Sequence, residues 1–151
     1  MKYTDTDNNL LAHLIECNNF TYERATEWAC TQYTDNGIEP WIEKIVLAND
    51  ASEILEILRE NFEISIDKYT DLKAGRVAVE YFDQKINLQT AIHRLLHGDL
   101  IENKNEKSDL YVAEEYFNWH ENPEKQAIKI VKPILKKYLS LYENSYCKFS
   151  V

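Results

Sequence analysis

Glycine and proline are scarce in this chain, three of each in 151 residues, too few for the many tight turns of a sandwich or barrel, so composition favours helices. Long apolar runs are missing as well. No window approaches the ~20 apolar residues of a membrane span, and the opening Met1-Lys2-Tyr3-Thr4-Asp5 has no apolar core of signal-peptide length; a cytoplasmic location is the expectation. Cys17, Cys30 and Cys147 form an odd, widely spaced set without a CxxC, which in a reducing compartment reads as free thiols acting as small hydrophobes. There is no GxGxxG and no P-loop, so a backbone cradle for phosphates is excluded. Positive charge is short over residues 1–122, which carry 11 Lys and Arg against 24 Asp and Glu, whereas residues 123–151 carry 6 against 2. A field of that sign repels nucleic acid and anionic membranes and attracts basic surfaces, so it points to protein partners.

What is present suits a folded chain. Ten Tyr, five Phe and three Trp argue against disorder, and the length fits one domain, residues 1–151, with a real core. Helical spacing recurs from end to end. Leu10, Leu11, Leu14 and Ile15 follow Asp5 and Asp7, either of which suits a first cap. Thr21 caps a second helix with Tyr22, Ala25, Trp28, Ala29 and Tyr33 on one face, stopped by Asn36-Gly37. Pro40 opens a third through Trp41, Ile42, Ile45 and Val46, and Asp50-x-x-Glu53 begins a fourth carrying Ile54, Leu55, Ile57 and Leu58. A longer helix over residues 67–83 tolerates Gly75, which there permits a close helix contact. Asn87 caps a helix ended by Gly98; residues 99–107 read as a loop, and Ser108 caps the next helix, with Leu110, Ala113, Tyr116 and Phe117. The last begins at Asn122-Pro123, and Pro133 is expected to bend or break it near Lys129. Phe62-Glu63-Ile64-Ser65-Ile66 and Tyr146-Cys147-Lys148-Phe149-Ser150-Val151 alternate as strands do and are candidates for one short β pair. The expected fold is mainly α, a single-domain bundle of about seven or eight helices.

Glu53, Glu56, Glu60, Glu63, Asp67 and Asp71 follow at intervals of three and four, the spacing that lines one helical face. If helical throughout, they form an acidic ridge; the alternation around Ile64 would split it between two elements. Lys125, Lys129, Lys132 and Lys136 make a basic stripe on the last helix. Aromatics are interleaved with acids in Glu114-Glu115-Tyr116-Phe117-Asn118-Trp119, the reverse of a stacking groove for single strands. Trp28, Trp41 and Phe117 are expected in the core, whereas Tyr111, Tyr116 and Trp119 beside carboxylates have the character of interface anchors.

Catalytic chemistry finds little support. His93 and His97 stand at i and i+4, the spacing of helical zinc ligands, but Arg94 occupies the place where metalloprotease chemistry needs a glutamate. The pair also suits the negative end of a helix stopped at Gly98. His13 and Cys17 share the same spacing, with Cys30 or Cys147 as further donors. No catalytic residue, cofactor or metal ligand is assigned from these patterns.

The run from Trp41-Ile42-Glu43-Lys44-Ile45 to Glu53-Ile54-Leu55-Glu56-Ile57-Leu58, about a fifth of the chain, resembles segments of bacterial helical families. The acidic, aromatic-rich whole is similar in type to small bacterial immunity proteins. That resemblance implies a toxin inhibitor acting by protein–protein interaction, one that binds and neutralises a cognate, basic toxin such as a nuclease. Glu53, Glu56, Glu60, Glu63, Glu114 and Glu115 are then the expected contacts, with Tyr116 and Trp119 as anchors, in a monomer or weak homodimer. Two alternatives stay open: a cytoplasmic adaptor or regulatory scaffold for a host protein, and a small metal-dependent enzyme using His93 and His97.

Overall fold

A computed structural model describes residues 3–17, 19–65 and 69–150. The chain is mainly α, with eight helices among the described residues: α1 (Asp5–Glu16), α2 (Tyr22–Cys30), α3 (Pro40–Val46), α4 (Ala51–Asn61), α5 (Thr70–Phe82), α6 (Leu88–His97), α7 (Lys104–Trp119) and α8 (Pro123–Tyr146). None of them is long and apolar enough to cross a membrane. The chain divides into two compact units, Met1–Lys68 with Ser145–Val151, and Tyr69–Asn144.

In the first unit, local chemistry sets the helix ends. Thr4 caps α1 in a reciprocal box: its hydroxyl accepts from the Asp7 N–H at 3.2 Å while its own N–H donates to the Asp7 carboxylate at 2.9 Å. The cap is thus Thr4 rather than Asp5 or Asp7, because Asp7 serves at the third position of the box. Thr21 and Asp50 cap α2 and α4 as expected, accepting from Arg24 N and Glu53 N. α2 stops at Cys30, well short of Asn36-Gly37: the Thr31 hydroxyl donates to the Trp28 carbonyl at 2.6 Å and competes with the helical ladder. Tyr33 consequently leaves the apolar face and is half exposed, and Gly37 takes φ +96° in a separate turn.

The core of this unit is aromatic. Tyr3, Trp28, Trp41 and Phe149 are all buried. Phe149 lies 5.0 Å from Trp28 edge-to-face and 5.6 Å from Tyr3 in a stack, and Phe62 stands edge-on to Trp41 at 5.0 Å, the arrangements that ring quadrupoles prefer. Residues 146–150 are no strand: Tyr146 ends α8 and Cys147–Phe149 form a 3-10 turn. Its Lys148 carbonyl accepts from Trp28 Nε1 at 3.0 Å, and Lys148 Nζ reaches Asp7 Oδ2 at 2.7 Å. Nor do residues 62–65 pair as a strand. The buried Asn9 side chain takes over, donating to the Glu63 carbonyl and accepting from Ser65 N–H, so one side chain satisfies backbone groups that a ladder would otherwise serve. Among the described residues there is no strand, only an isolated bridge between Thr34 and Gly37; Ile66, Asp67 and Val151 lie outside them.

The second unit has an aliphatic core in which Val77, Ile92, Leu95, Leu110, Val131 and Leu135 are fully or almost fully buried. Asn87 and Gly98 bound α6 as the sequence suggests. α7 begins five residues earlier than expected, because Asn103 and not Ser108 supplies the cap, accepting from Asn105 and Glu106 N–H groups. Gly75 is a close-approach position: a Cβ there would stand 2.5 Å from Tyr142 Cβ and 2.8 Å from the Tyr138 carbonyl oxygen. α8 runs unbroken through Pro133, whose missing N–H and ring are accommodated on an exposed face. Beneath it Glu106 accepts from Tyr138 Oη at 2.7 Å and Lys137 Nζ at 3.0 Å. Burial first, then the Glu106 carboxylate, pushes the Tyr138 phenol well above its usual range.

Candidate functional site

The acidic ridge is shorter than its spacing suggests. α4 ends at Asn61, so only Glu53, Glu56 and Glu60 share its face. Glu63 follows in extended chain, Asp67 lies outside the described residues, and Asp71 sits in the first turn of α5, in the other unit. Glu53 is partly committed to structure, since its carboxylate accepts from the Asn49 backbone N–H at 2.8 Å and from the Asn49 amide. Glu56 and Glu60 are exposed and make no ion pair among the described residues.

The other expected contacts gather on α7, in the second unit. Ala113 and Leu110 are fully buried and hold this helix against the core, which leaves Tyr111, Glu115 and Trp119 outward at one-turn intervals with Val112 beside them. Trp119 is 66% exposed, and Tyr111 and Val112 are about half exposed at 48% and 47%. Tyr116 is half-buried, packs against the core and meets Trp119 edge-on at 5.7 Å; the Trp119 ring also lies 5.4 Å from His120. Phe117 is half-buried against the same core, whereas Trp28 and Trp41 are in the first unit's interior, as expected. Lys125, Lys129, Lys132 and Lys136 stay exposed on α8 without an ion pair among the described residues.

Glu114 is engaged differently from Glu115. It turns toward α6 and meets His97 Nε2 at 2.9 Å. His93 stacks obliquely on His97 with ring centroids 4.6 Å apart, so one donor atom from each of His93, His97 and Glu114 lies within 4.8 Å of the others. Arg94, between the two histidines in sequence, is drawn aside to Glu80 of α5 at 2.5 Å. Spacing along the chain pairs the histidines but carries no sign of Glu114, because α6 and α7 meet only through tertiary packing. His13 and Cys17 do approach, with Sγ 3.8 Å from Nδ1, yet no third donor joins them among the described residues. All three cysteines are exposed and none is in a disulfide, so the expectation that they serve as buried small hydrophobes fails.

The Asp7 carboxylate is the other charged group with a distinct environment. Burial pushes it up, but Lys148, the Thr4 N–H and the Ser145 and Thr4 hydroxyls together outweigh that and hold it below its ordinary value. This is a structural clasp rather than chemistry directed at solvent.

Neither the known protein families nor the curated proteins nor the solved structures offer a match to this chain.

Proposed function

We infer that the chain is a non-catalytic, acidic binding protein that captures a cationic protein, as a bacterial immunity protein captures its cognate toxin. The observation that carries this reading is the uncovered face of α7, where Tyr111, Val112 and Trp119 stand in solvent beside the Glu115 carboxylate, which has no ion pair among the described residues. An exposed tryptophan flanked by tyrosine and acid has the composition of a binding hot spot, and such residues carry most of an interface's energy. Charge adds the approach. The first unit holds 14 Asp and Glu against 6 Lys and Arg, and a field of that sign steers a basic partner toward on-rates of about 10⁸–10⁹ M⁻¹s⁻¹ at low salt. Glu56 and Glu60 serve that steering, Glu115 the docked rim, and Tyr116 braces Trp119.

The test is co-expression with the cationic product of a neighbouring gene, followed by titration of the purified pair. Protection from toxicity with one-to-one binding is expected. Trp119→Ala should weaken the complex by at least about 30-fold, the loss of a 2 kcal/mol hot spot. Glu56→Lys with Glu60→Lys should slow association and flatten its salt dependence. Binding without protection turns the reading to an adaptor for a host protein, and absence of binding ends it.

A further inference from the structure

We propose that His93, His97 and Glu114 form a binding site for one divalent transition-metal ion of the zinc type. This inference is independent of the partner-binding reading. The site is built by packing: Ile92, Leu95 and Leu96 bury one side of α6, which turns His93 and His97 outward together. Leu110 and Ala113 fix α7 against that helix, and Glu114, next after Ala113, is thereby delivered to the histidine pair from a different element.

Two imidazoles and one carboxylate are the donor set that zinc takes when a coordination position is left open, whereas magnesium and calcium select all-oxygen shells. Tetrahedral donors at about 2.0–2.1 Å from zinc lie some ~3.3 Å from one another. His97 Nε2 and Glu114 Oε2 are already 2.9 Å apart, and the whole trio spans no more than 4.8 Å. Rotations of roughly an ångström in exposed side chains bring the three donors onto one ion, which then replaces the direct histidine–carboxylate hydrogen bond. The neighbouring cation is no obstacle, because Arg94 is held on Glu80. The final turn of α6 presents the negative end of the helix dipole, which favours a cation there. His97 and Glu114 keep side-chain exposures of 47% and 32%, so a metal enters from solvent and its fourth position faces water.

Calorimetric titration of the metal-stripped full chain with zinc chloride, and separately with magnesium chloride, tests the assignment. One equivalent of zinc is expected with Kd tighter than about 10 µM, and no magnesium binding at the same concentrations. His93→Ala, His97→Ala and Glu114→Gln should each weaken zinc binding by at least about tenfold while leaving the circular dichroism of the apo chain unchanged. His120→Ala and Cys17→Ser should leave the affinity as it was. Cobalt(II) substitution gives a second readout: tetrahedral visible bands without a thiolate charge-transfer band are expected. A Kd weaker than about 10 µM, an affinity indifferent to the three substitutions, or a thiolate band pointing to Cys17 would overturn the site.

Discussion

The two units of this chain solve the same problem with different materials. The first holds 14 acidic and 6 basic residues around a cluster of Tyr3, Trp28, Trp41 and Phe149; the second holds 12 and 11 around aliphatic side chains. All but one charge of the formal net −9 is therefore carried by the first unit. The contrast extends to how the cores are closed. Rings of large area and an ion pair tie the chain's two ends into the first, whereas the second depends on the absence of a side chain at Gly75, where α5 approaches Tyr138 and Tyr142 of α8. Surface charge and core chemistry are thus separable choices, and each unit leaves its own kind of group open to solvent: the Glu56 and Glu60 carboxylates in one, the Tyr111 and Trp119 rings beside Glu115 in the other.

The contrast is most severely tested at Phe149. Phe149→Ala should cost about 3–5 kcal/mol, the usual loss for a buried phenylalanine, with the drop in amide protection confined to the first unit in native-state hydrogen exchange. Equal loss in both units would erase the distinction. Next in size, Asp7→Asn should cost about 1.5–3 kcal/mol near neutral pH by removing a charged partner from Lys148 and Thr4. Because the folded carboxyl titrates below its ordinary 3.8, its contribution is whole above that value and disappears as pH falls through the lower, folded one. Urea titrations from pH 6 downward should show the first unit losing stability in acid and the Asn variant losing that slope. Alkaline titration should not separate the units, since burial raises both Tyr3 and Tyr138 above 10.0; their contribution is present below that pH and lost above it.

Gly75→Ala sharpens the comparison from the other side. The forced separation costs ~1–3 kcal/mol and the better helix former returns about 1, so a net destabilisation of the second unit is expected in thermal melts. The smallest effect belongs to the open carboxylates: Glu56→Lys with Glu60→Lys should shift stability by no more than about 0.5 kcal/mol per site. A larger fall would mean that these groups hold structure rather than await a partner.

Most of the helical framework is legible in the sequence because its signals are local. Thr21, Pro40, Asp50, Asn87 and Gly98 act within one turn of themselves, and each marks the boundary it suggests. The failures arise where two local candidates compete or where distant residues intervene. Thr4 outranks Asp5 and Asp7 because Asp7 returns its bond as a reciprocal partner, and Asn103 outranks Ser108 because its side chain takes two N–H groups of the turn that follows. The alternation at residues 146–151 imitates a strand, yet burial of Phe149 among Tyr3 and Trp28 decides its conformation. Of the site, the aromatic and acidic character of α7 is visible beforehand, as is the histidine spacing on α6. The meeting of Glu114 with His97 is not, since it depends on which faces of two helices become core.

Phe149 and Lys148 also set an order of events during synthesis. Residues 1–68 leave the ribosome first, but the interior they surround lacks its last ring and its Asp7 clasp until every residue of the second unit has been made. The second unit is one continuous stretch, Tyr69–Asn144, so it is the first unit whose closure rests on contacts between residues as far as 141 apart, the kind of long-range contact that slows folding. The nascent first unit waits with Trp28 incompletely covered, which makes that interval the one in which chaperones and proteases have most to grip.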